Sequence, residues 1–181
     1  MEPHRLRRRI RCFLGVFATG LILSGVTAFP LVWEVNLLHS LTGPDTLAAG
    51  YWPALSAWIG LVREGLVETG DKYPFMAYGT DWLAFAHIVI AIVFIGPFID
   101  PVRNRWVTEF GLIACALVIP LALICGPLRG IPTFWRAGDC SFGVLGAIPL
   151  ALALRDIRKL ERVEACFRPA TDREEPCEGR D

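Results

Sequence analysis

Ionisable side chains interrupt the apolar stretches of this sequence at only a few positions. Asp81 stands near the start of an apolar run at 79–99, His87 lies inside that run, and Asp139 lies early in a later run at 134–154. Ionisable groups at membrane depth cost several kcal/mol unless they are paired or hydrated, so they are candidates for function. We interpret them, with nearby polar and aromatic residues, as one candidate ligand-binding site: His87, Asp81, Trp82, Asp139, Arg136, Arg129, Glu34 and His39.

Three kinds of chemistry suit these residue types. Histidine and carboxylate groups bind zinc, iron or manganese, and His39 with His87 would supply axial ligands for haem. Both are disfavoured, because the sequence has no HExxH or ExxH pair and the two histidines are expected at different depths. The preferred interpretation is a pocket for a lipid headgroup, a quinone or another small amphiphile. We therefore predict no metal site and leave the cofactor open.

Each of the three central residues also has a local explanation that requires no ligand. A carboxylate at position 81 would cap the N-terminus of its helix, where the helix dipole favours negative charge. Asp139 would pair with Arg136, three residues earlier on the same helix. His87 would donate one hydrogen bond to a neighbouring carbonyl oxygen.

The elements that position these residues are predicted from the composition. The chain has 181 residues, of which 54% are hydrophobic, and its mean hydropathy is +0.46. The apolar residues are gathered into blocks bounded by charges and aromatics, which is typical of an all-α integral membrane protein. The basic start followed by an apolar run also resembles a signal peptide. However, the uncharged stretch at 13–29 is longer than a usual signal-peptide core, which favours an uncleaved first helix.

We predict a four-transmembrane-helix bundle with one long connection. Within that connection, apolar residues recur at helical spacing over 53–69 and charged residues fall on the other face, which predicts an amphipathic helix. The predicted segments are a basic N-terminus at 1–12, spans at 13–33, 79–99, 106–125 and 134–154, a cap at 34–78, short loops at 100–105 and 126–133, and a tail at 155–181.

The distribution of positive charge predicts the orientation. Fourteen of the 18 Lys and Arg residues fall in the segment before the first span, in the loop at 100–105 and in the tail. Positive charge accumulates on the cytoplasmic side. Both termini are therefore expected in the cytoplasm of a multi-pass cell-membrane protein, and the amphipathic-helix cap is expected to be extracytoplasmic. Five of the six tryptophans fall on the cap side, which favours an ordered aromatic layer there.

The cysteines and the predicted cytoplasmic half of the bundle add two further expectations. Six cysteines occur without a CxxC motif, so a thioredoxin-type redox pair is not indicated. Cys125 and Cys140 are expected near the outer ends of adjacent spans, where a disulfide is a possibility. Arg105 precedes Glu109 by four residues, which predicts an ion pair on one helix face.

Function is less constrained than class. The preferred hypothesis is a binding or accessory component whose outer-leaflet polar pocket takes a lipid-like ligand or a partner protein. The alternative is a membrane enzyme, quinone-linked or lipid-directed, with its site around His87 and Asp81. The expected partners are the lipid bilayer, a lipid, quinone or other amphiphile, and another membrane protein; no nucleic acid is expected. A transporter is disfavoured because few polar residues line the inner half of a path.

Overall fold

The computed structural model describes residues 3–44 and 46–167, and these ranges contain helices and no strand. The all-helical prediction is thereby confirmed for the described residues. A short 3-10 helix at Pro74–Met76 precedes the fifth α-helix. The α-helices are α1 (Pro3–Ala28), α2 (Leu31–Thr42), α3 (Leu47–Tyr51), α4 (Pro53–Lys72), α5 (Ala77–Val93), α6 (Ile95–Ile99), α7 (Arg105–Leu128) and α8 (Thr133–Phe167).

Within the described residues, four helical stretches are long and apolar enough to cross a membrane. Only between 17% and 22% of the most apolar part of each stretch is buried within the protein. Most of their apolar side chains therefore face outwards, as expected of helices whose solvent is lipid. The four stretches are Pro3–Ala28, Pro74–Ile99, Arg105–Leu128 and Thr133–Ala165.

Several helices end at positions that differ from the predicted segment boundaries. Prolines interrupt some helices early, and helical periodicity continues beyond the predicted end of others. The first helix stops at Ala28 and a new one begins at Leu31, because Pro30 cannot donate the backbone hydrogen bond that a continuous helix requires. At the other end of the chain, α8 continues past position 154 to Phe167. The predicted tail therefore begins as helix, and its residues 168–181 lie outside the described residues.

The chain forms two compact units. The first comprises Thr19–Ile92. In it, α2 packs on α4, and α4 includes the residues 53–69 for which a helix was predicted. Val35 of α2 and Ile59 of α4 are buried. The Arg63 Nε donates a hydrogen bond of 2.6 Å to the Asn36 Oδ1, which links the same two helices.

The second unit comprises the chain up to Ala18 and from Val93 onward. Here α7 and α8 pack together extensively. Its buried side chains recur at intervals of three and four, as on the inward stripe of an amphipathic helix. They include Leu6, Ile10 and Leu14 on α1 and Leu150, Ala153, Leu154, Ile157 and Leu160 on α8.

Ion pairs connect the helices of this second unit. Arg7 pairs with Glu164, and the Arg9 Nε lies 3.2 Å from the Asp156 Oδ2, so two pairs join α1 to α8. The predicted pair on α7 is confirmed, with 2.9 Å between the Arg105 Nε and the Glu109 Oε1. Arg105 also reaches the Glu161 Oε2 at 3.0 Å and so joins α7 to α8.

Candidate functional site

The eight residues of the predicted site are divided between the two units. Glu34, His39, Asp81, Trp82 and His87 belong to the unit at 19–92, whereas Arg129, Arg136 and Asp139 belong to the other.

Asp81 and Trp82 border an exposed row of aromatic rings on α5. The Trp82 ring makes edge-to-face contacts with Tyr78 and Phe85, at centroid distances of 6.0 Å in both cases. At 3.6 residues per turn, these three residues and Asp81 fall within an arc of about 100°. Tyr78 and Trp82 are 62% and 57% exposed, so the row is open to a ligand. We call Tyr78, Asp81, Trp82 and Phe85 the α5 aromatic face.

The helix-cap explanation for Asp81 is wrong. Because α5 begins at Ala77, Asp81 lies in its second turn, beyond the free backbone N–H groups that a cap would satisfy. Its carboxylate has no hydrogen bond or ion pair with any residue in 3–44 or 46–167. Asp81 is therefore a half-buried carboxyl group near the start of an apolar helix that makes no polar contact with the described residues.

His87 lies on a different side of α5, where α5 meets α1. Its Nδ1 is 2.8 Å from the Leu83 carbonyl oxygen one turn earlier, so the predicted local hydrogen bond is confirmed. A Cβ atom built at Gly25 would lie 2.7 Å from the Ala84 carbonyl oxygen and 3.1 Å from the His87 Cβ. The two helices thus approach so closely that only glycine fits. His87 is rotated about 140° from Trp82 and does not share its face.

Glu34 and His39 lie on α2. Glu34 is in the first turn, where the helix dipole favours a carboxylate. The His39 ring lies 3.3 Å from a Cβ built at Gly43, beyond the end of α2, and 3.9 Å from one built at Gly60 of α4. His39 therefore packs in the contact between α2 and α4, whereas His87 packs in the contact between α1 and α5. The two histidines do not form a common pair of ligands.

In the other unit, the described contacts include no hydrogen bond or ion pair among Arg129, Arg136 and Asp139. The Arg136 Nη2 donates to the Thr133 Oγ1 at 2.9 Å. The Arg136 side chain lies across Gly126 of α7, where a built Cβ would clash with the Arg136 Cδ. The predicted pair between Arg136 and Asp139 is not formed in the described part of the chain. Arg129 is exposed at the end of α7.

The cysteines in this region are free thiols. Cys125 and Cys140 form no disulfide with each other. Within residues 3–44 and 46–167, no group of three or more His, Cys, Asp or Glu side chains is arranged to hold a metal ion.

Sequence reasoning missed a groove between α7 and α8. Small residues recur every four positions at Gly143, Ala147 and Ala151, and basic residues continue the same face at Arg155 and Lys159. This four-residue spacing could have predicted the groove, because residues four apart lie on the same helix face. Its basic part was used only to predict orientation.

The geometry thus offers an aromatic face with an unpaired carboxylate on α5 and a basic-ended groove between α7 and α8. Neither feature positions a nucleophile, base and acid around one reacting centre. Comparison of the chain with protein-family models, with curated proteins and with solved structures finds no match.

Proposed function

We propose that this chain is a non-catalytic, multi-pass protein of the cell membrane that binds an amphiphile at its extracytoplasmic side. The ligand is lipid-like and carries a cationic or zwitterionic headgroup. The α5 aromatic face is the observation that carries this proposal.

The proposed orientation follows from charge. Fourteen of the 18 Lys and Arg residues are at the ends assigned to the cytoplasm, and four are on the other side. With both termini inside, α2 to α4 form the extracytoplasmic cap. The packing of α2 on α4 and the bond between Arg63 and Asn36 support an ordered cap. Aromatic side chains on and beside it, including Tyr51, Trp52 and Phe75, are exposed.

The chemistry of the α5 aromatic face favours a cationic group. Aromatic rings attract alkylammonium groups through their quadrupole, most strongly when desolvated. A carboxylate at the border of the rings adds an opposite charge, and Asp81 has no protein partner within the described residues to compete for it. The hydrocarbon tail of the ligand would lie along the apolar remainder of α5. A partner protein with an apolar helix and a basic end is less favoured, because a single half-buried carboxylate would provide only one ionic contact for it.

Trp82→Ala is expected to weaken binding of a choline phospholipid about fivefold or more, because it removes the central ring of the face and a contribution of roughly 1 kcal/mol. Asp81→Asn is expected to weaken binding of the same choline phospholipid by a similar factor, because it removes the negative charge beside the rings. The measurement is native mass spectrometry of the detergent-purified protein titrated with dioleoylphosphatidylcholine.

Two matched variants separate this face from general effects. Trp106→Ala removes another tryptophan of similar exposure, 62%, near the start of α7, and is expected to leave choline-lipid binding unchanged. His87→Ala is also expected to leave it unchanged, since His87 lies on another side of α5. Equal losses in Trp82→Ala and Trp106→Ala would refute the proposed face, and loss in His87→Ala alone would move the site to the contact with α1.

Labelling from the two sides of the membrane tests the orientation. Gly65 lies on α4 with no atom near its absent side chain, so a cysteine fits there without strain. In a background with all native cysteines replaced by alanine, Gly65→Cys is expected to react with an impermeant maleimide in intact cells. Cys12, restored alone, is exposed and is expected to react only after the membrane is opened. The reverse pattern would invert the orientation.

A further inference from the structure

A continuous groove runs between α7 and α8. Its apolar part has a volume of about 510 Å³ and is lined mainly by small or aliphatic side chains. The helices touch closely at Gly143, where a built Cβ would lie 2.6 Å from the Cys115 carbonyl oxygen. Beside this contact, alanines leave space that larger side chains would fill. The lining includes Leu112, Cys115, Ala116, Gly143, Ala147 and Ala151.

A basic part of about 360 Å³ adjoins the apolar part. The two are continuous, because Leu112 and Ala151 line both of them. Four basic side chains and no acidic one line this end of the groove. They are Arg155, Arg158, Lys159 and Arg162.

These basic groups retain charge that nearby carboxylates do not neutralise. Glu109 lies 3.8 Å from the Arg158 Nη2 but already accepts a hydrogen bond of 2.9 Å from Arg105. Asp156 lies 3.9 Å from the Lys159 Nζ and is closer, at 3.2 Å, to Arg9.

The other two arginines of this end have no such neighbour. Arg155 and Arg162 are exposed and make no ion pair or hydrogen bond with residues 3–44 or 46–167. The basic end therefore carries an excess of positive charge that is available to an anion.

We propose that this groove binds an anionic glycerophospholipid of the cytoplasmic leaflet. The phosphate and headgroup lie among the four basic side chains, and one acyl chain lies along the apolar part. This inference rests on the proposed membrane orientation but not on the α5 aromatic face.

The dimensions and the chemistry fit this occupant. From Ala151 to Gly143 the groove follows α8 for about 12 Å, at ~1.5 Å per residue. That is close to the depth of one leaflet, half of a hydrocarbon core of ~30 Å. A free phosphate would use the basic end alone and would leave the apolar part empty. Basic side chains at the cytoplasmic boundary are also the general recognition element for anionic lipid headgroups.

The test is a titration of the purified full chain with dioleoylphosphatidylglycerol and, separately, with dioleoylphosphatidylcholine, followed by native mass spectrometry. The wild type is expected to prefer the glycerol lipid. Arg155→Gln/Arg162→Gln is expected to reduce its affinity for that lipid roughly tenfold or more, as expected for two lost charges. Arg8→Gln/Arg103→Gln removes the same charge from two other exposed arginines and is expected to have no effect on this preference.

A second pair of variants tests the apolar part. Ala147→Leu fills the groove and is expected to weaken binding of dioleoylphosphatidylglycerol severalfold. Ala137→Leu adds the same bulk at an exposed position outside the groove and is expected to leave binding unchanged.

Four results would overturn the inference. The first is an equal loss of affinity in the two double variants, and the second is unchanged lipid binding in Ala147→Leu. The third is a wild type that does not prefer the glycerol lipid. The fourth is a dimer, in place of a lipid complex, that dissociates in Ala147→Leu. Failure of the α5 proposal would be seen instead as choline-lipid binding that does not depend on Trp82. The two outcomes are therefore distinguishable in the same preparation.

Discussion

The Arg9→Met variant is expected to lose about 3 kcal/mol of unfolding free energy, because it removes the nearest positive charge from a buried carboxylate. The Asp156 side chain is only 2% exposed, and the Arg9 Nε lies 3.2 Å from it. Methionine keeps the apolar stem of arginine but removes its charge, so the carboxylate is left buried with only Lys159 at 3.9 Å. The expected loss is near the lower end of the free-energy range for removing one partner of a buried ion pair, because Lys159 remains nearby. Denaturation by sodium dodecyl sulfate in mixed micelles, followed by circular dichroism, measures it.

Two further variants show whether charge is the cause. Arg8→Met removes an exposed neighbouring arginine and is expected to change stability by less than about 0.5 kcal/mol. Arg9→Met/Asp156→Asn removes both charges at nearly constant shape and is expected to recover most of the loss. If the double variant is no more stable than Arg9→Met, loss of packing rather than an uncompensated charge explains the result.

The Gly143→Ala variant is expected to destabilise the protein by about 1–3 kcal/mol, because it overfills a close contact between α8 and the backbone of α7. The new methyl group would meet the Cys115 carbonyl oxygen at 2.6 Å and the Val118 Cβ at 3.4 Å. A backbone carbonyl within a helix cannot move away alone, so the two helices must separate. The same detergent-denaturation measurement reports the change.

Gly138→Ala is the matched control on the same helix. No atom lies within 4 Å of a Cβ built there, so alanine is expected to stabilise α8 by up to about 1 kcal/mol through its higher helix propensity. The two variants should therefore change stability in opposite directions. A destabilisation of equal size in both would mean that the close contact at Gly143 does not control the packing of α7 on α8.

Some of the candidate site was predictable and some was not. The pair between Arg105 and Glu109 was predicted with both residues, since they lie one helical turn apart. For His87 only a hydrogen bond to a neighbouring carbonyl was expected, and the structure identifies that carbonyl as Leu83. The expected pair between Arg136 and Asp139 has the same spacing and does not form, because the side chain of Arg136 lies across Gly126 of α7. Spacing states which contacts are within reach, and the neighbouring helix decides which of them are made.

The amino-acid sequence alone determined the helical class, the four apolar stretches and the amphipathic helix that became α4. These features follow from periodicity and length within continuous segments, which are local properties. Only the tertiary structure decided that the His87 side of α5 packs against α1 at Gly25 and that the Trp82 side stays exposed. It alone paired Arg9 with Asp156 and joined apolar and basic residues of α8 into one groove with α7. Such relations depend on how closely helices approach, which is set by the shapes of side chains far apart in sequence.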